Sequence, residues 1–200
     1  METTMNSNVQ AFWGEYEKTV SRWVGRAQKQ MLLKRLWEKD PTLWTSDPEA
    51  QKLIVSRLGW LSLPERMEGA LPELLAFADE VRKEGCAHVV LLGMGGAGLA
   101  SWVFQKVYGN KPGCPELILL DSTDPEQIRD VEGKLDLQKT LFIVSSKSGG
   151  TIESLSLFKY FFEKVRRGGE EKPGRRFAAI TDPGTSLEEL AKAHEFRKIF

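Results

Sequence analysis

Ser146, Lys147, Ser148, Gly149, Gly150 and Thr151 follow one another without a break, directly after the apolar run TLFIVS. The hydroxyls of Ser146, Ser148 and Thr151 can donate to oxyanions, and Gly149 and Gly150 expose backbone N–H groups. A helix starting at this point adds its positive end, and Lys147 adds a formal charge. The composition is that of a phosphate cradle. The pattern G-x-x-x-x-G-K-[ST] is absent, so no nucleoside triphosphate is implied. The plain alternative reads Ser146 and Ser148 as ordinary helix caps and Lys147 as a solvated lysine.

A second loop, Gly93-Met94-Gly95-Gly96-Ala97-Gly98, follows the run HVVLL. Glycines here allow a tight turn and let a ligand approach the main chain without meeting a Cβ. Gly93, Gly95 and Gly98 satisfy G-x-G-x-x-G, the dinucleotide fingerprint, and Asp121 ends the next apolar run, where a ribose-binding acid would sit. Asp121 lies further along the chain than the roughly 20 residues of that fingerprint. A strand-to-helix turn with no ligand is the competing reading.

The elements that must hold these loops change character near Gly85. Residues 1–85 carry five of the six tryptophans and no strong strand pattern. Val9, Phe12, Trp13, Tyr16, Val20, Trp23, Val24, Ala27 and Met31 recur at steps of three and four, the stripe of a long amphipathic helix that Asp40-Pro41 should break. Ser46-Asp47-Pro48-Glu49 opens a second helix towards Leu58, closed by Gly59, and Leu71-Pro72-Glu73 opens a third, ended by Gly85. Residues 86–200 alternate strands with helices: HVVLL, ELILLD, TLFIVS, RRFAAI and a last fragment, FRKIF. Predicted helices follow at Leu99 to Val107, after Asp124-Pro125, from Ile152 to Val165, and after a capping box formed by Ser186 and Glu189. Nearly unbroken apolar strands imply burial on both faces. The expected fold is α/β, a doubly wound, five-stranded parallel sheet sandwiched by helices, with an N-terminal helical segment packing on that core. Arg166 to Arg176, RRGGEEKPGRR, reads as a solvated loop.

Charge and composition narrow the function. The 200 residues carry 28 lysines and arginines against 28 aspartates and glutamates, so no basic excess points to nucleic acid. Cys86 and Cys114 cannot build a disulfide framework or a four-ligand zinc site, and His88 and His194 add no metal spacing. No metal and no cofactor are expected. The N-terminal stretch lacks a basic start and a continuous apolar run, and the longest apolar run is far too short for a membrane span. A cytoplasmic, soluble chain without membrane contact is expected.

S-x-S-G-x-T after a parallel strand resembles the sugar-phosphate loop of sugar isomerase (SIS) domains. GMGG paired with FIVSSKSGGT resembles glucose-6-phosphate isomerases, which carry a G-x-G-G-S loop and an S-K-[ST]-x-[GT]-T loop in these places. RLWEKDPTLWTSD, RLGWL, DSTDP and AITDPGTSLEELA are similar to the isomerase part of bifunctional transaldolase–glucose-6-phosphate isomerases. The resemblance runs from about Arg35 to Phe200 and covers the N-terminal portion of such an enzyme. It implies interconversion of glucose 6-phosphate and fructose 6-phosphate through a cis-enediol, a step of glycolysis and gluconeogenesis. Its phosphate-binding positions fall on Ser146, Lys147, Ser148, Gly149, Gly150 and Thr151, and its sugar-lining positions on Gly95, Gly96 and Ala97. Ala97 departs from the usual serine and loses a side-chain donor.

The same resemblance expects the catalytic glutamate, histidine, arginine and lysine beyond Phe200, the arginine within a G-G-R-[YF]-S motif. Glu153 matches a glutamate that often follows the phosphate loop, and an acid in a first helical turn is also favoured by the dipole alone. His88 and His194 match no catalytic position. The 200-residue chain is expected to bind a hexose 6-phosphate and to lack activity alone, with a homodimer, a C-terminal isomerase half or a transaldolase module as candidate partners. Two other readings stay open: a non-catalytic SIS-domain sugar-phosphate sensor, and an NAD-dependent Rossmann oxidoreductase using the glycine loop.

Overall fold

The computed structural model describes residues 11–200, so Val9 of the predicted stripe lies outside the described residues. The chain forms two compact units that divide at Pro72.

In the first unit the predicted long helix is interrupted. A short 3-10 turn at Gly14–Tyr16 leads into α1 (Glu17–Lys29), and α2 (Leu32–Trp37) follows after Met31, whose φ of 50° is left-handed. The break therefore precedes Asp40-Pro41, and no glycine or proline announces it. Asp40 instead accepts from the backbone N–H of Thr42 at 2.9 Å and from Arg35 Nε at 2.7 Å, fixing the turn Pro41–Leu43. α3 (Pro48–Arg57) starts as expected, with Asp47 accepting from the N–H groups of Glu49 and Ala50 and Pro48 in the first turn. The tryptophan stripe does not form a core within this unit. Trp23 is 55% exposed, and Leu61 is the one buried residue among those described there.

α4 (Leu63–Lys83) begins eight residues before the predicted start, carrying Pro72 inside it. A proline fits a helix where its missing N–H costs one hydrogen bond, so Leu71-Pro72-Glu73 is not a start here. The division between the units falls at this proline rather than at the change of composition near Gly85. Residues after it are tied to the second unit: Arg197 donates to Glu80 and Glu84, and Phe77 meets Phe200 edge-on at 5.2 Å.

The second unit holds β1 (His88–Gly93), α5 (Gly96–Tyr108), β2 (Glu116–Leu120), α6 (Pro125–Glu132), β3 (Thr140–Ser145), α7 (Ile152–Arg167), β4 (Phe177–Ile180), α8 (Ser186–Ala193) and β5 (Lys198–Ile199). All five strands are parallel, in the order β2-β1-β3-β4-β5. Right-handed crossovers put α5 on one face and α6, α7 and α8 on the other. The doubly wound sheet matches the expected class. Its core is aromatic: Phe142, Phe158, Phe161 and Phe177 are wholly buried, with Phe142 stacked on Phe161 at 4.8 Å and on Phe177 at 5.1 Å. This cluster clamps β3, β4 and α7 together and so fixes the loop that joins β3 to α7.

Three boundaries differ from the sequence reading. α5 starts at Gly96, three residues early, because the glycine run itself winds into helix. α7 continues to Arg167 and a 3-10 turn occupies Pro173–Arg176, so only the middle of Arg166 to Arg176 is loop. The cap of α8 is Thr185, which accepts from the N–H of Glu188 at 3.3 Å, and not Ser186.

Candidate functional site

β1 is flanked by β2 on one side and β3 on the other, so the chain leaves the ends of β1 and β3 in opposite directions. Between such strands a crevice opens at their carboxyl ends, where doubly wound sheets take ligands. The two loops singled out by sequence are the loops that follow these two strands. Gly93 and Ser145 are register partners at the mouth of the crevice, and Ser145 Oγ donates to the carbonyl of Ala97 at 3.4 Å. A Cβ at Gly93 would come within 3.3 Å of Ser145 Cβ, so glycine lets the loops meet.

In the Ser146–Thr151 loop the hydroxyls are not equivalent. Ser146 is 2% exposed, and its Oγ lies 2.8 Å from Thr151 Oγ1. Thr151 is half-buried and sits at the N-cap of α7. Because its hydroxyl is engaged with Ser146, it caps no backbone N–H, and the first turn of α7 keeps its donors free of any side-chain cap. α5 likewise starts at Gly95 with no side-chain cap, whereas α6 and α8 are capped by Asp124 and Thr185. The uncapped pair are the helices whose first turns open on the crevice. Ser148 is exposed and accepts a long 3.5 Å contact from the N–H of Gly150. Lys147 projects outward, its Nζ 3.9 Å from Asp182 Oδ2.

The β4–α8 connection templates this loop, a role that the sequence reading did not give it. The N–H of Ser146 donates to Ile180 O at 3.0 Å, that of Asp182 donates to Lys147 O at 3.2 Å, and Ser186 Oγ donates to Gly149 O at 2.9 Å. Gly149 has a φ of 71°, and a Cβ there would lie 2.5 Å from Thr185 Cβ. Thr185 is held in turn by Thr181, with their hydroxyls 2.7 Å apart. The available signal was T-D-P-G-T-S directly after a strand, next in the sheet to the one bearing the loop.

The glycine loop is opened by Gly95, at φ 53°. Gly98 is buried where a Cβ would meet Leu119 Cδ1 at 2.6 Å, bringing α5 close to β2. Gly95, Gly96, Leu99, Trp102, Leu119 and Asp121 line a cleft of about 390 Å³, so Asp121 does face the glycine loop. Ala97 is half-buried. Glu153 is half-buried in the first turn of α7 and has no ion pair among the described residues. His88 begins β1 at the opposite end of the sheet, and His194 is exposed behind α8, edge-on to Phe162 at 4.8 Å. Neither histidine joins the crevice. Among the described residues no cluster of His, Cys, Asp and Glu could hold a metal, and no helix is long and apolar enough to cross a membrane.

Comparison with known proteins sets this geometry beside a chemistry. No family model matches the chain. The chain is 30% identical over 133 residues to a glucose-6-phosphate isomerase of Campylobacter jejuni, a match covering 66% of this chain and 32% of the relative. It is 32% identical over 156 residues to the glucose-6-phosphate isomerase of Carboxydothermus hydrogenoformans, covering 71% and 32%. The chain is related to the glucose-6-phosphate isomerases. It spans about a third of the length of these relatives. Among solved structures, a hypothetical protein of Thermus thermophilus superposes with a TM-score of 0.64 at 26% identity, over 90% of this chain and 40% of that one. A glucose-6-phosphate isomerase of Chlamydia trachomatis shares the fold, with a TM-score of 0.57 at 20% identity over 82% of this chain and 30% of its own.

Proposed function

We propose that this chain is the sugar-phosphate-anchoring, SIS-type part of a glucose-6-phosphate isomerase, an aldose–ketose isomerase of the cytoplasm. The observation that carries this reading is the uncapped first turn of α7, with Ser148, Thr151 and the N–H groups of Gly150 and Ile152 around it; the N–H of buried Gly149 is instead taken up by Ser146 O at 3.1 Å, so Gly149 shapes the loop rather than donating to the ligand. The dianionic phosphate of a hexose 6-phosphate takes the place that a capping side chain takes at α6 and α8. Lys147 exchanges its weak contact with Asp182 for the phosphate, and Gly95, Gly96 and Ala97 line the sugar across the crevice. Ser146, being buried, orients Thr151 rather than touching the ligand. Proton transfer between C1 and C2 needs a base and stabilisation of the enediolate. Glu153 is the carboxylate in the first turn after the phosphate loop, and the other catalytic groups are assigned to polypeptide equivalent to the remaining two-thirds of the relatives. In this reading neither nucleic acid nor membrane is a partner.

Titration calorimetry with 6-phosphogluconate tests the site. Binding that is lost when Ser148 and Thr151 are both changed to alanine supports it, and unchanged affinity overturns it. A second reading, a dinucleotide site, is favoured by the cleft that Asp121 shares with Gly95 and Gly96. Thermal stabilisation by NAD but not by the sugar phosphate would select that reading.

A further inference from the structure

The buried side of α7 is Ser154, Leu157, Phe158, Phe161 and Val165. Ser154 is the odd member: it is wholly buried, and its Oγ has no hydrogen-bond partner. A buried donor left without an acceptor costs stability that an alanine in its place would not lose. The other such atom among the described residues, His88 Nδ1, lies at the far end of the sheet. Ser154 stands one turn after Thr151, beside the phosphate loop.

The same helix shows what a serine normally does there. Ser156 donates to the carbonyl four residues back, Ile152 O, at 2.8 Å. The carbonyl four residues before Ser154 is that of Gly150, and this bond is not made. Gly150 precedes the N-cap Thr151, so the helix does not fix its carbonyl. The loop is tied on either side of it. Ser186 holds the carbonyl of Gly149, and Ser146 engages the hydroxyl of Thr151. Gly150 itself is exposed, with a 3.5 Å contact from its N–H to Ser148 and open space where a Cβ would stand.

We propose that Ser154 is a positioning residue, whose hydroxyl latches the carbonyl of Gly150 when a phosphate settles on the loop. The inference rests on the phosphate reading of that loop. The N–H and C=O of one planar trans peptide point in opposite directions. An anion that draws the N–H of Thr151 outward therefore turns Gly150 O inward, towards the buried side of α7. Ser148 gives up its long contact with Gly150 for the phosphate, which frees the turn to move. In the empty protein Ser154 is a donor without an acceptor, and in the bound protein the bond is made. The penalty carried by the empty loop is released on binding. The hydroxyl thus raises affinity through what it costs the free state, the differential interaction that a ligand-linked change requires.

Calorimetry with inorganic phosphate and with 6-phosphogluconate, beside thermal unfolding without ligand, tests the latch. Ser154→Ala should raise the melting temperature by about 2–4 °C and weaken both ligands about tenfold. The opposite signs are the signature, because a serine that only packs would move stability and leave affinity alone. Ser154→Cys keeps the size and loses the strong donor, so it should bind as weakly as the alanine variant. A Ser154→Ala protein that melts lower than the parent, or binds phosphate as the parent does, would overturn the proposal. A cysteine variant with parental affinity would do the same. Binding lost in Ser148→Ala with Thr151→Ala but unchanged in Ser154→Ala would strike the latch alone and leave the phosphate reading standing. A parent chain that binds neither ligand would overturn both.

Discussion

Ser146 Oγ and Thr151 Oγ1 lie 2.8 Å apart across the turn between β3 and α7, and only Thr151 reaches solvent. Two hydroxyls so placed share one hydrogen bond and leave one O–H over. When Ser146 donates to Thr151, the spare proton is Thr151's, aimed where the helix dipole already favours an anion.

The two residues should therefore separate in mutagenesis. Thr151→Val removes a charge-assisted contact worth about 1.5–3 kcal/mol, or roughly 10- to 150-fold in affinity for 6-phosphogluconate. Ser146→Ala removes only the orienting bond and should cost about threefold in affinity, with about 1 kcal/mol of stability. Calorimetry and denaturant unfolding read the two quantities. A greater affinity loss for Ser146→Ala would place its hydroxyl on the ligand and reverse the assignment.

Gly149→Ala should act through strain. The added Cβ meets Thr185 at 2.5 Å in a backbone conformation that disfavours any side chain, so a loss of about 2–3 kcal/mol is expected. Ser186→Ala, by contrast, leaves the carbonyl of Gly149 without its donor and loosens the loop. It should weaken sugar-phosphate binding several-fold while moving the melting temperature little, and Ser186→Thr should restore binding. Equal loss of stability in both variants would show Ser186 to be a plain structural contact.

The sheet was legible because buried parallel strands leave unbroken apolar runs, and even the two-residue β5 showed in FRKIF. The templating of the phosphate loop was not, since it depends on β4 lying beside β3. Thr185 and Ser186 are adjacent hydroxyls with equal capping ability. What separates them is the carbonyl of Gly149, 37 positions away in the chain, which engages Ser186 and leaves Thr185 to cap. Pro72 misled for a related reason: the same residue type that favours a first helical turn is also carried within a helix. For α5, periodicity reveals an amphipathic helix but not which side faces the sheet. Only the close approach of Gly98 to Leu119 shows that the small side is inside.

Acid should undo the tether between α4 and the strand β5. Arg197 is 11% exposed on its side chain; burial works against its charge, yet its bonds to Glu84 and Glu80 raise its pKa further. The hydrogen bonds from Arg197 hold Glu84 below its ordinary value of 4.5. A carboxylate depressed in the folded state contributes stability above its unfolded pKa and loses it as pH falls through the folded one. Arg197→Met should thus cost about 1–2 kcal/mol at pH 7, a figure kept small by the half-exposed glutamates. The gap from the parent chain should narrow steadily below about pH 4.5. A gap independent of pH would mean that Arg197 acts by packing alone.

Turnover by the 200-residue chain on its own should be undetectable. A phosphate anchor holds substrate and transition state almost equally, so it lowers a dissociation constant without lowering the barrier. Moving a proton between C1 and C2 requires a base on one face of the enediol and donors for its growing charge. Beyond the phosphate loop the crevice offers the backbone N–H groups of the first turn of α5, and His88 and His194 both lie outside it. Glu153 sits in the first turn of α7, the same turn whose N–H groups are assigned to the phosphate. A carboxylate there is close to the anchored end of the sugar and far from its reacting carbons. A coupled assay forming glucose 6-phosphate from fructose 6-phosphate should therefore stay at background while calorimetry still records binding. Turnover that disappears in Glu153→Gln would instead make Glu153 the catalytic base. Turnover that survives Glu153→Gln but is lost in Ser148→Ala with Thr151→Ala would confirm the anchor and place the chemistry on a group outside both loops.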